Sequence, residues 1–149
     1  MVGRAEREER SGHRALARSL YEQSLRCRYP GLEPSLVADA LCGIARTWQL
    51  DGDSEAALDC LEVATQVSAL SGLDAAHGRA LNIRAVIYWQ RGDLDLADEL
   101  YVEAQRLGAR AGDVRLTAMT AQNRGIVANV RGDLTRALAQ RDAEHAGVL

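Results

Sequence analysis

Gly12, Gly52, Gly92 and Gly132 stand forty residues apart, and each is followed five residues later by an alanine: Ala17, Ala57, Ala97 and Ala137. Self-similarity at such a period marks a repeat architecture, in which each unit buries an apolar flank against its neighbours. Nine residues past each glycine stand Tyr21, Leu61 and Tyr101, with Arg141 departing; twelve past stand Ser24, Ala64 and Ala104, with Glu144 departing. The residues before the last three glycines repeat as well: Leu41, Leu81 and Ala121 eleven earlier, Ala45, Ala85 and Gly125 seven earlier, Trp48, Tyr88 and Ala128 four earlier. Steps of three and four keep positions on one side of a helix. One helix therefore ends at the glycine and a second follows it.

Each element of the pattern has a physical reason. A glycine closing a helix adopts positive φ in the terminal cap, and alanine there costs on the order of 1 kcal/mol. The aspartate after it, Asp53, Asp93 or Asp133, caps the next helix and complements the positive end of its dipole. Alanine five residues on lets two antiparallel helices approach, and a larger side chain would overpack by roughly 1–3 kcal/mol. Read from these anchors, the chain forms seven helices at about 5–28, 34–50, 53–70, 74–90, 93–110, 114–130 and 133–147. It then begins and ends on the second helix of a unit. Arg14, Arg18 and Glu22 make the first helix a suitable polar cap; Arg136, Arg141, Asp142 and Glu144 suit the last to a cap or to the edge of a longer array.

The large–small–large run, the Gly-Asp turn and the Ala, aromatic or Leu, Ala run resemble the tetratricopeptide repeat over nearly the whole chain. The forty-residue length resembles the longer-helix variety found in bacterial regulatory proteins, the kinesin light chain and cell-polarity adaptors. Arg84 and Arg124 depart from the family, standing eight residues before the glycine where Leu is common. The resemblance implies an all-α, right-handed α-solenoid of antiparallel helix pairs. It makes residues 1–149 a single domain, divided into a half repeat at 5–30 and repeats at 33–71, 73–111 and 113–149.

Composition agrees with that class. Hydrophobic residues make up 47% of the 149 and aromatics only 4%, with no Phe, so the core is built from Leu, Ala, Val and Ile in close-packed helices. The two prolines, Pro30 and Pro34, mark a single loop. All 18 basic residues are Arg, which with the abundant Ala and Gly reads as the codon usage of a G+C-rich bacterium. A net charge of −3 offers nucleic acid no global attraction. The N-terminal residues mix Arg and Glu without an apolar segment, and no run reaches the ~18 apolar residues of a membrane span, so a cytoplasmic protein is expected. Cys27, Cys42 and Cys60, odd in number and without Cys-x-x-Cys spacing, read as reduced packing residues.

The motifs that carry chemistry elsewhere have structural explanations here. Arg91-Gly92-Asp93 and Arg131-Gly132-Asp133 are the turns the repeat requires rather than adhesion sequences, and Asp51-Gly52-Asp53 lacks the other ligands of a calcium loop. His13, His77 and His145 are too scattered for a metal site, and His13 stands where the other units have Asp. No Gly-x-Ser-x-Gly elbow and no phosphate loop occur. Neither an enzymatic function nor a cofactor is expected.

What remains is a surface. The resemblance implies that the first helix of each pair lines a concave groove, which brings inward the residues 13, 10, 6 and 3 before each glycine. These are Asp39, Cys42, Arg46 and Gln49; Arg79, Asn82, Val86 and Trp89; and Met119, Gln122, Ile126 and Asn129. Hydrogen-bonding side chains beside Trp89 and Met119 suit recognition of an extended peptide. Solvated amides and helix-to-helix packing explain the same residues about equally well. The carboxylate clamp of chaperone-binding relatives needs Lys, and this chain has none. The function expected is a protein-interaction scaffold for a peptide or partner protein, in bacterial regulation. Its rivals are a self-associating module, a homo-oligomer joined through terminal helices, and a small-ligand sensor.

Overall fold

A computed structural model describes residues 2–26, 31 and 33–147. Among these residues the protein is all-helical, with seven helices: α1 (Val2–Arg10), α2 (Arg14–Arg26), α3 (Pro34–Leu50), α4 (Ser54–Leu70), α5 (Asp74–Gln90), α6 (Leu94–Ala111) and α7 (Val114–His145). Cys27, Pro30 and the expected end of the first helix at residue 28 lie outside the described residues. Pro34 opens α3, where a missing N–H costs nothing.

The turns show how the repeat works. Gly52 and Gly92 sit at φ +85° and +83°. Gly52 N donates to Gln49 O at 3.0 Å and Asp53 N to Trp48 O at 2.9 Å; Gly92 N donates to Trp89 O at 3.0 Å and Asp93 N to Tyr88 O at 3.0 Å. This is the paired backward bonding that satisfies the last carbonyls of a helix. The carboxylates of Asp53 and Asp93 then accept from the amides of Ala56 and Leu96, starting the next helix. Gly72 and Gly112 close the intervening turns in the same way, so the true step of the chain is twenty residues.

Consecutive helices pack as antiparallel neighbours. In addition α1 touches α3, α3 touches α5 and α5 touches α7, whereas no contact joins α2 to α4 or α4 to α6. The odd-numbered helices therefore form a closely spaced inner row and the even-numbered ones a splayed outer row. Three of the four expected alanine contacts form: Ala17, Ala57 and Ala97 are fully buried. Around them lie Tyr21, Ala45, Leu61, Ala64, Ala85, Tyr101 and Ala104, each within 2% of complete burial.

Two expected boundaries are corrected. The helix expected at 5–28 is broken at Gly12, which has φ +81° and makes the same backward bonds as Gly52, with Gly12 N to Glu9 O at 3.0 Å and His13 N to Glu8 O at 2.9 Å. The first half repeat is thus a complete pair, α1 and α2. Conversely the helices expected at 114–130 and 133–147 are one, because α7 runs straight through Gly132. Folding back would bring Arg141 and Glu144 to the positions where Leu61 and Ala64, or Tyr101 and Ala104, are buried. Charges gain nothing from burial there, so the continuous helix, which keeps every backbone bond, prevails. Ala121, Gly125, Ala128 and Ala137 consequently stay exposed, and Asp133 pairs with Arg136 instead of capping a helix.

The two Arg-Gly-Asp tripeptides therefore respond oppositely to one substitution. Gly92→Ala forces a side chain into the left-handed region and should destabilise by about 1 kcal/mol, whereas Gly132→Ala replaces a mid-helix glycine and should stabilise by a similar amount. Urea unfolding of the two variants measures both signs.

Candidate functional site

The inner row carries all twelve residues expected in the groove, but it uses several to hold itself together. Arg79 donates to Asp39 at 2.9 Å and lies 3.5 Å from Asp113, linking α3, α5 and the start of α7. Arg46 makes a two-pronged pair with Glu9, at 2.6 and 3.0 Å, linking α3 to α1, and Tyr21 donates its hydroxyl to the same carboxylate at 2.8 Å. The buried amide of Asn82 accepts from Asn123 at 3.2 Å, joining α5 to α7. Cys42 faces the core, not the groove: it is 3% exposed, and burial pushes its thiol up to about 11, leaving it protonated. Apart from Tyr21, which lies 12 residues from Glu9, each of these partners lies about one period away in sequence, so the period supplies the register of the cross-links as well as the helices.

Burial raises the pKa of the Glu9 carboxyl, yet hydrogen bonding and charge from Arg46, with the Tyr21 hydroxyl, outweigh it and hold the group below its ordinary value. A carboxyl depressed in the folded state stabilises above its unfolded pKa, and that contribution fades as pH falls through the folded one. The melting temperature should therefore drop between about pH 5 and pH 3 more steeply in the wild-type protein than in Glu9→Gln, which has no such charge to lose. Thermal denaturation followed by circular dichroism reads the difference.

The remaining groove residues are free of such duties. Among the described residues, Gln49, Gln122 and Asn129 make no side-chain hydrogen bond within the chain. Val86 and Trp89 of α5 and Ile126 of α7, all expected in the groove, come together around a cavity of about 100 Å³, completed by Tyr101 of α6 and Asn123 of α7. Met119 and Ile126 are 38% and 43% exposed. Burial alone pushes the Tyr101 phenol up to about 12, so the cavity wall it contributes is neutral.

Tyr101 and Asn123 escape the position rule for different reasons. Tyr101 has a core place on the outer helix, and only its packing against α5 and α7 reveals that it also floors the cavity. Asn123 follows Gln122 and stands nine residues before Gly132, outside the rule, but it lies 41 residues from the Asn82 it bonds. A search for amide pairs one period apart would have found it.

A larger hollow of about 580 Å³ lies at the α1–α2 turn, lined by Gly12, His13, Arg14, Ala15, Leu16 and Asp51. It is open and shallow, and Arg14 and Asp51 already satisfy each other at 2.6 Å. Arg18 likewise pairs with Asp51 and stacks 3.5 Å over the Trp48 ring, a packing role beneath that surface. The inner cavity, with the carbonyl of Asn123 beside apolar walls, is the better place for recognition.

The chain matches no protein-family model, no curated protein and no solved structure. None of the described helices is long and apolar enough to cross a membrane.

Proposed function

We propose that this chain is an interaction module of the tetratricopeptide kind that binds a peptide or partner protein along its inner helices, in bacterial regulation within the cytoplasm. The observation that supports this most is the largely apolar cavity of Val86, Trp89, Tyr101, Asn123 and Ile126, whose one amide, Asn123, donates to Asn82 and keeps its carbonyl oxygen unbonded among the described residues. An apolar hollow with hydrogen-bonding groups at its rim holds a side chain while the backbone beside it is bonded. Recognition here is binding without catalysis.

Trp89→Ala combined with Ile126→Asp tests the reading, because both side chains line the cavity and neither makes a cross-link of the inner row. Capture of a partner from the native cell by the wild-type chain, lost in a double variant of unchanged helical content, is the result expected. Equal capture by both would reject the inner face. Arg46 is unsuitable for this test, since its loss would release α1 from α3.

Self-association has one observation in its favour: Leu134 and Leu138, 52% and 50% exposed, ride on the part of α7 that extends past its packing partners. In that reading light scattering finds a dimer that Leu138→Glu dissociates; a monomer at all concentrations would dispose of it.

A further inference from the structure

The chemistry of α7 is symmetric about Gly132. Reading outward from that glycine, Arg131 answers Asp133, Val130 answers Leu134 and Ile126 answers Leu138. Ile126, Val130, Leu134 and Leu138 stand four residues apart, so on a helix they form one continuous ridge. The ridge is open: Ile126, Leu134 and Leu138 are 43%, 52% and 50% exposed, and every residue from Gly132 to Asp142 is exposed. Among the described residues α7 touches only α5 and α6. A helix that repeats apolar for apolar and inverts its charge about a centre suits one occupant, the same helix turned end for end. Deepening the self-association reading, on which this rests, we infer that two copies pair through α7, antiparallel, about a twofold axis at Gly132.

Helices that interlock ridges of this spacing cross at roughly 50°, the commonest packing of two helices. The axis at Gly132 then sets Val130 against the partner's Leu134, Ile126 against the partner's Leu138 and Arg131 against the partner's Asp133, each contact made twice as a twofold requires. Other registers along the ridge are poorer. Centring on Val130 brings Arg124 against the partner's Arg136, and centring on Leu134 sets Ile126 against the partner's Asp142. Arg131 and Asp133 are available for the exchange. Each now holds an exposed pair inside the chain, Arg131 with Asp95 and Asp133 with Arg136, and exposed pairs contribute little to a fold. The crossing angle carries Arg141 and Glu144, which lie beyond Leu138, away from the partner and into water. Ile126 also lines the inner cavity, so a bound peptide and a second copy exclude each other there.

Charge reversal in the full chain tests both the pairing and its register. Sedimentation of the wild type should show a monomer–dimer equilibrium. Arg131→Asp alone and Asp133→Arg alone place like charges at both symmetry-related contacts, and each should weaken the dimer at least about tenfold. An equimolar mixture of the two variants should recover a one-to-one heterodimer, because each then meets the opposite charge on the other chain. Leu134→Asp, which leaves both charges in place, should also weaken the dimer at least about tenfold. All three positions are on or beside the exposed overhang of α7, and circular dichroism checks that helical content is unchanged. A dimer that the reversals leave intact, one that survives Leu134→Asp, or single variants that do not recover on mixing would overturn the twofold at Gly132 and leave self-association through another surface standing. A wild-type chain that stays monomeric at every concentration overturns both and leaves the inner face standing as a peptide site.

Discussion

Leu61→Ala should lower the unfolding free energy by about 3 kcal/mol. Leu61 is fully buried in the central cluster, packed with Ala45, Ala57, Ala64 and Ile87. Its neighbours are mostly alanines, short side chains on helices already in close contact, so they cannot collapse into the space left behind. Loss of transfer energy and retention of the cavity then add. Arg141 occupies the same place in the fourth unit, nine residues past its glycine, but lies exposed on the unpacked end of α7. Arg141→Ala should change stability by less than about 0.5 kcal/mol. Urea unfolding of the two variants therefore measures where the repeat is a core and where it is only a spacing.

Gly43→Ala should destabilise by about 2 kcal/mol even though alanine is the better helix former. A Cβ at residue 43 would stand 2.3 Å from Cζ of Tyr21 and 2.5 Å from Cε2. The Tyr21 ring is 1% exposed and held at its hydroxyl by Glu9, so moving it aside also loosens the pair between Glu9 and Arg46. Overpacking of this severity costs about 1–3 kcal/mol, more than the ~1 kcal/mol that alanine gains in helix propensity, with the lost cross-link added to the cost. Tyr21→Leu in the same chain removes the obstructing ring. The double variant should be less destabilised than the two single losses added together, by about 1 kcal/mol or more. Full additivity would show that the two residues do not meet.

Gly43 also shows what a period can and cannot reveal. The positions that recur as Ala and Leu or Tyr were legible because every unit uses them alike, and they led directly to the turns at Gly52 and Gly92 and to the burial of Ala17, Ala57 and Ala97. Gly43 stands where the next units have Ile83 and Asn123. It is explained only by the large side chain of Tyr21 on the neighbouring helix, an exchange of volume between two elements that no single row displays. The turn at Gly12 was obscured because α1, rich in Arg and Glu, has few apolar residues to mark an end. At Gly132 the local signal misleads: Arg91-Gly92-Asp93 turns and Arg131-Gly132-Asp133 does not. The decision lies nine and twelve residues later, where Arg141 and Glu144 replace apolar residues and remove the reason to fold back.

The candidate site divides along the same line. Val86, Trp89 and Ile126 were legible as inward positions and do surround one cavity. The engagements of Arg46, Arg79 and Asn82 were not, since a side chain that can bind a partner can equally bind Glu9, Asp39 or Asn123 on the adjoining helix. Spacing places a residue on a face, and the distance to its neighbours determines whether that face has anything left to offer.

The inner surface around the cavity is tested most directly by the methyl carbon–proton spectrum of the full chain titrated with a dodecapeptide selected on that chain from a random displayed library. The methyl signals of Val86 and Ile126 should move together, while those of Val63 and Val102, exposed on the outer helices α4 and α6, stay in place. Movement at Val63 and Val102 with Val86 and Ile126 unchanged would contradict it.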